Sequence, residues 1–104
     1  MEKEQNYEYN IDYDMFNVSE IIKIFEFFKL IEQSKYNKVS KQKLIDSYVV
    51  YRNILKNKAL EKKYDKMLYE KSRVSIYHTM KNLIWELIRF FLFNISVFWR
   101  IFNS

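Results

Sequence analysis

The sequence predicts an all-α protein: a small four-helix array with an extended N-terminal arm and an apolar C-terminal helical tail. Three observations carry that expectation. The chain of 104 residues has neither glycine nor proline, where average usage would supply roughly seven and five. Apolar residues recur at helical spacing through most of its length. Asn and Ser stand where the helices would need caps. The missing glycine also removes phosphate-cradling loops, the strained nucleophile turn and glycine hairpin turns, all of which need backbone freedom that only glycine has.

Residues 1–17 read as an acidic, extended arm. Tyr7, Tyr9, Ile11, Tyr13 and Met15 alternate with polar residues, the period of a strand or of a segment laid in a groove. One strand finds no partner in the rest of the chain, so the expectation is an arm whose aromatic side packs on helices. Residues 18–82 form the helical domain. Its first helix runs from about Ser19 to Ser34, with Ser19 as N-cap and Glu20 in the first turn, where negative charge suits the helix dipole. Ile21, Ile24, Phe25, Phe28 and Ile31 make the inward stripe. Ile22, Phe27 and Leu30 widen it, which marks this as the central helix.

A polar break from Lys35 to Val39 leads to a second helix from Ser40 to about Leu55, with Leu44, Tyr48, Tyr51 and Leu55 on one face. Tyr48-Val49-Val50-Tyr51 alone suits a strand, but the surrounding helical period and the lack of turn residues overrule it. Lys56-Asn57 makes the next turn. Asn57 caps a third helix to about Lys71, with Leu60, Tyr64, Met67 and Leu68 inward. Ser75 caps a fourth, whose stripe is Ile76, Met80, Leu83 and Leu87.

Composition changes at residue 83. From Leu83 to Phe102 only Glu86, Arg89 and Arg100 are charged. About 20 largely apolar residues can cross a membrane, although the uncharged run here is only Phe90 to Trp99 and includes Asn94 and Ser96. At about 100° per residue, Asn82, Glu86, Arg89, Ser96, Arg100 and Asn103 share roughly a third of the helical wheel, with Phe93 among them. Three readings of residues 83–104 follow. The tail packs across the domain or a second copy. It lies on or anchors in a membrane; Trp85, Phe90, Phe91, Phe98 and Trp99 are the candidate membrane or oligomer contacts. Or it is an extension encoded where an AT-rich reading frame ran past an older stop.

Charge divides the chain. Five acids against Lys3 leave residues 1–14 at −4, so the rest carries +9 of the net +5. The excess concentrates between Lys35 and Arg73 and favours anionic partners. The candidate binding surface is Arg52, Lys56, Lys58, Lys62, Lys63, Lys66, Lys71, Arg73 and Lys81. Without cysteine there is no disulfide scaffold and no thiolate chemistry. The acidic, polar start is the opposite of a secretory signal. Both fit a cytoplasmic protein, peripheral to the inner face of the membrane if the tail is an anchor. The single histidine, His78, has no carboxylate three or four residues away, so neither a metal site nor a catalytic pair is expected. No cofactor is implied, and no enzyme.

Tyr9-Asn10-Ile11-Asp12-Tyr13-Asp14 before an apolar Phe-Phe helix, the segment from Tyr51-Arg52-Asn53 to Glu61-Lys62, and Ser72-Arg73-Val74-Ser75-Ile76-Tyr77-His78-Thr79-Met80-Lys81 have a telling order and spacing. Together they resemble the small uncharacterised protein family numbered 0223 of low-GC Gram-positive bacteria, over about residues 7–82. The resemblance implies a four-helix all-α array and no particular activity. It also implies proline where Asn10 and Lys56 stand and glycine where Arg73 stands. Separately, Ser75 to Lys81 resembles a recognition helix of the bacterial replication initiator, without its acidic-histidine pair. The leading expectation is therefore a non-enzymatic module that binds a protein partner or itself. A membrane-associated protein held by residues 83–102 is the alternative, and a nucleic-acid binder with a basic helix-turn-helix-like face is the third.

Overall fold

The computed structural model describes residues 9–103, apart from the side chains of Phe98, Phe102 and Asn103. Four helices follow a single 3-10 turn at Tyr13–Met15: α1 Val18–Ser34, α2 Lys41–Leu55, α3 Lys58–Ser72 and α4 Ile76–Asn103. No strand occurs among the described residues.

Each helix start follows from its cap. Ser40 accepts the Lys43 N–H and Asn57 accepts the Leu60 N–H, as their positions predicted. At α1 the cap is Asn17, not Ser19. The Asn17 side chain accepts the Glu20 N–H at 2.8 Å, and the Glu20 carboxylate accepts the Asn17 N–H at 3.0 Å. This reciprocal box satisfies two otherwise orphan donors, and Ser19 has no residue of Glu20's kind three positions on. Ser75 accepts the His78 N–H at 3.2 Å. The Asp65 carboxylate, reaching across from α3, takes the Ile76 and Tyr77 N–H groups at 2.8 and 3.2 Å.

The helix ends show where glycine is missing. Lys56 and Arg73 are the described residues with positive φ, at 53° and 58°. Each closes its helix in the left-handed conformation, donating its N–H to the carbonyl four residues back, Arg52 at 3.0 Å and Tyr69 at 2.8 Å. A Cβ makes that conformation costly. Glycine would suit Arg73, in line with the resemblance. Lys56 does not match a proline-compatible turn, because proline holds φ near −65°.

The core is aromatic. Phe27, Phe28, Tyr51 and Tyr64 are fully buried with Ile24, Ile31, Leu68 and Met80. Phe27 stacks on Tyr51 at 4.6 Å, and the Phe28 ring meets Tyr51 and Tyr64 edge-on. α1 supplies half of these residues, more than any other helix, as a central helix should. Ile22, expected to widen its inward face, is half exposed instead, since the arc it occupies points away from α2 and α3.

The arm joins this core only in part. Tyr9 and Ile11 are buried, but the 3-10 turn breaks the alternation and leaves Tyr13 and Met15 exposed. Tyr7 lies outside the described residues. Two polar clusters hold the arm down. The Tyr64 hydroxyl donates to the Asp12 carboxylate and accepts the Asp12 N–H, while Lys63 pairs with the same carboxylate at 3.1 Å. Tyr9 donates to Glu32 at 2.7 Å, a carboxylate that also takes the Ser72 hydroxyl and the Lys71 ammonium.

Candidate functional site

The tail is the feature that the fold leaves unexplained. α4 is unbroken for 28 residues, about 42 Å at 1.5 Å per residue. Ile76, Met80 and Leu83 are buried against the domain, and there burial stops. Every described side chain from Ile84 to Ile101 is exposed, including Trp85, Phe90, Phe91 and Trp99. Phe90 and Trp99 each keep 67% of their surface in contact with solvent. Phe98, the remaining candidate contact, has a side chain outside the described residues. Leu87, the fourth member of the expected stripe, is also exposed at 40%, because the domain ends before it. The tail therefore does not pack across its own domain, and the molecule extends to 68 × 28 × 21 Å.

Within the tail, the Asn94 side-chain amide donates to the Phe90 carbonyl at 3.0 Å. Its donor is thus used inside the helix, although Asn94 sits on the apolar side. At the base, Glu86 pairs with Lys41 at 3.1 Å. α4 is long and apolar enough to cross a membrane by length and composition.

The nine basic candidates do not form one face. Arg52, Lys56, Lys58 and Lys62 line adjoining grooves between α2 and α3, with Lys66 beside them. Their charge is diluted there by Glu61, 3.6 Å from Arg52, and by Asp65. Lys63 and Lys71 lie with the arm, engaged by Asp12 and Glu32. Arg73 shares a groove with Lys35, Lys38 and Lys41, which opens beside Asn82 and Glu86 of α4. Lys81 lies next to Tyr77 and Trp85. Sequence reasoning missed Lys35, Lys38 and Lys41 as tail neighbours, because the 34 or more residues lying between them and α4 hide the contact.

The groove between α2 and α3 also reaches Tyr51 and His78. The Tyr51 hydroxyl is buried and meets no hydrogen-bond partner among the described residues. Burial, reinforced by Glu61 and Asp65 nearby, holds it far above the ordinary tyrosine range, so it stays a neutral phenol. Tyr64 is pushed up to about 12, chiefly by burial. Its hydrogen bond, followed by that of Lys63, holds Asp12 below its usual 3.8. His78 is exposed, with its ring edge against Tyr77. Among the described residues no three His, Cys, Asp or Glu side chains gather as a metal site would require.

Fold and surface together define a small all-α protein with a charged helical domain and a projecting apolar helix. The chain belongs to the uncharacterised protein family UPF0223, whose sequence model matches residues 6–86. It is 39% identical over 75 residues to a UPF0223 protein of Bacillus cytotoxicus, an overlap of 72% of this chain and 83% of the relative. A UPF0223 protein of Streptococcus agalactiae is 33% identical over 76 residues, 73% of this chain and 81% of its own length. One of Staphylococcus saprophyticus is 35% identical over 75 residues, with 72% and 80% covered. No solved structure matches the chain. The family match ends at residue 86, so residues 87–104 continue past it.

Proposed function

We propose that this protein is a non-enzymatic attachment module: a folded helical domain that engages its partner through the exposed apolar sides of α4. One observation carries the reading. A largely apolar helix of this length leaves every described side chain from Ile84 to Ile101 in solvent. Soluble monomers rarely expose apolar patches larger than a few hundred Å², and larger ones mark sites of interaction. Apolar side chains over most of a helix's circumference belong in a core, at an interface or in lipid, and the chain's own core ends at Leu83. A cytoplasmic location with the tail as the point of attachment fits the lysine-rich domain.

The reading makes no use of catalytic chemistry. His78 is exposed, and the Asp12 and Asp65 carboxylates are engaged in holding the arm and capping α4. A nucleic-acid role is the weaker alternative. In a helix-turn-helix the N–H groups at the start of α4 would meet phosphate, but Asp65 already accepts those of Ile76 and Tyr77.

Truncation after Glu86 tests the proposal. The expected product is a soluble monomer with helical circular dichroism and cooperative unfolding, whereas the full chain associates or partitions from water. A truncated protein that fails to fold would make the tail part of the core and sink the reading.

A further inference from the structure

Resting on the reading of α4 as the attachment helix, we infer that its partner is a lipid bilayer with an anionic face. The helix crosses that bilayer as a single span over about residues 84–103, rather than lying along the surface or against a second copy.

The first argument is the width of the apolar arc. The polar stripe of Asn82, Glu86, Arg89, Ser96, Arg100 and Asn103 occupies about 100° of the helix, which leaves roughly 260° apolar. One partner helix covers a stripe little wider than 100°. Lipid covers all sides at once.

The second argument is where the domain sits. Ile76, Met80 and Leu83 face the core, and their mean direction lies about 140° around the helix from the polar stripe. The domain therefore hangs on the apolar side of α4. If the tail lay flat with its stripe toward water, the charged domain would be pressed into the hydrocarbon. Phe93, on the stripe and 64% exposed, would also point at water in that pose. An upright helix removes both conflicts.

Length and charge agree with a span. Twenty residues rise about 30 Å, the thickness of the hydrocarbon layer. Arg89 and Arg100 fall within about two turns of the near and far ends, where arginine can snorkel to the interface. Glu86 pairs with Lys41 at the near end, and Asn94 donates one amide N–H to the Phe90 carbonyl. Trp85 falls at the near interface. Beside the Glu86–Lys41 pair, Lys35, Lys38 and Arg73 open onto the base of the tail, so the domain would rest on anionic headgroups. Among residues 90–104 the one charged residue is Arg100. That imbalance puts the domain on the cytoplasmic side by the positive-inside rule.

The test uses the full chain and vesicles of phosphatidylcholine with one part in four phosphatidylglycerol. The protein should float with the vesicles and stay bound in high salt. Leu92→Lys should lower partition roughly 100-fold, the effect of a charge at the bilayer centre, with the domain's circular dichroism unchanged. A single tryptophan at mid-span, made by Phe93→Trp with Trp85→Phe and Trp99→Phe, should be quenched most by lipids brominated near the acyl-chain ends. Quenching strongest from bromines near the headgroups would overturn the span in favour of a surface helix. A discrete dimer that does not float, and that Leu92→Lys converts to monomer, would overturn the lipid partner while leaving the attachment reading intact. Insensitivity of both flotation and association to Leu92→Lys would overturn both.

Discussion

Lys56 and Arg73 hold backbone that suits glycine, and the sequence contains none to give them. Arg73→Gly should raise stability by about 0.5–1 kcal/mol, since relief of the left-handed Cβ clash outweighs the added freedom of the unfolded chain. Urea denaturation of the truncated domain would measure it. Two buried tyrosines should respond in opposite ways to loss of the hydroxyl. Tyr51→Phe removes a hydroxyl with no partner among the described residues and should be neutral or stabilising by up to about 1 kcal/mol. Tyr64→Phe removes both hydrogen bonds to Asp12 and should cost about 1–3 kcal/mol. Acid should act through Asp12, whose folded pKa is depressed below its usual 3.8 by Tyr64 and then Lys63. Its contribution is present above that value and is lost as the pH falls through the folded pKa. Wild type and Asp12→Asn should therefore differ near neutral pH and converge in acid, as read by chemical denaturation across pH. None of these partnerships is legible in the sequence. Asp12 and Tyr64 are 52 residues apart, and only packing brings them together.

At the scale of elements, the helices were legible because their signals are local. Ser40, Asn57 and Ser75 cap as their positions indicate, and the stripes of α2 and α3 point inward as their period requires. The N-cap of α1 is Asn17, two residues before the expected Ser19. Both Asn17 and Ser19 are capping types, and the deciding signal was Glu20, three residues after Asn17. Asp65 could not have been found this way, because its carboxylate caps a helix that begins 11 residues further on and across a turn. It fixes where α4 leaves the domain, and so which way the tail points. Asp65→Ala leaves the Ile76 and Tyr77 N–H groups without that acceptor and should cost about 1–3 kcal/mol. Loss of amide protection over the first turn of α4, read by hydrogen exchange, would localise the effect.

Across the whole molecule, charge and apolarity are segregated. The domain carries the lysines and the projecting helix carries the exposed aromatics. The basic groove at the base of α4 supplies the electrostatic half of the proposed attachment. Lys35→Gln and Lys38→Gln should each weaken binding to anionic vesicles about fivefold, since a basic residue near such a surface contributes about 1 kcal/mol. Binding to purely zwitterionic vesicles should change little. Equal loss on both lipids would show that these lysines act through the fold and not through charge.

The all-α class, the four helices, most of their caps and the family follow from local rules: periodicity, capping chemistry and the order of short segments. The family match also stops within α4, which agrees with the change of composition that begins at residue 83. What sequence left open was the fate of the tail, since an apolar helix looks the same in a core, at an interface or in lipid. Tertiary structure decided that α4 outruns the domain: the core closes at Leu83, and nearly 20 apolar-rich residues continue beyond it. The physical reason is that periodicity reports which face of a helix is apolar. Whether that face finds a partner depends on where the other helices end, and no local pattern encodes that.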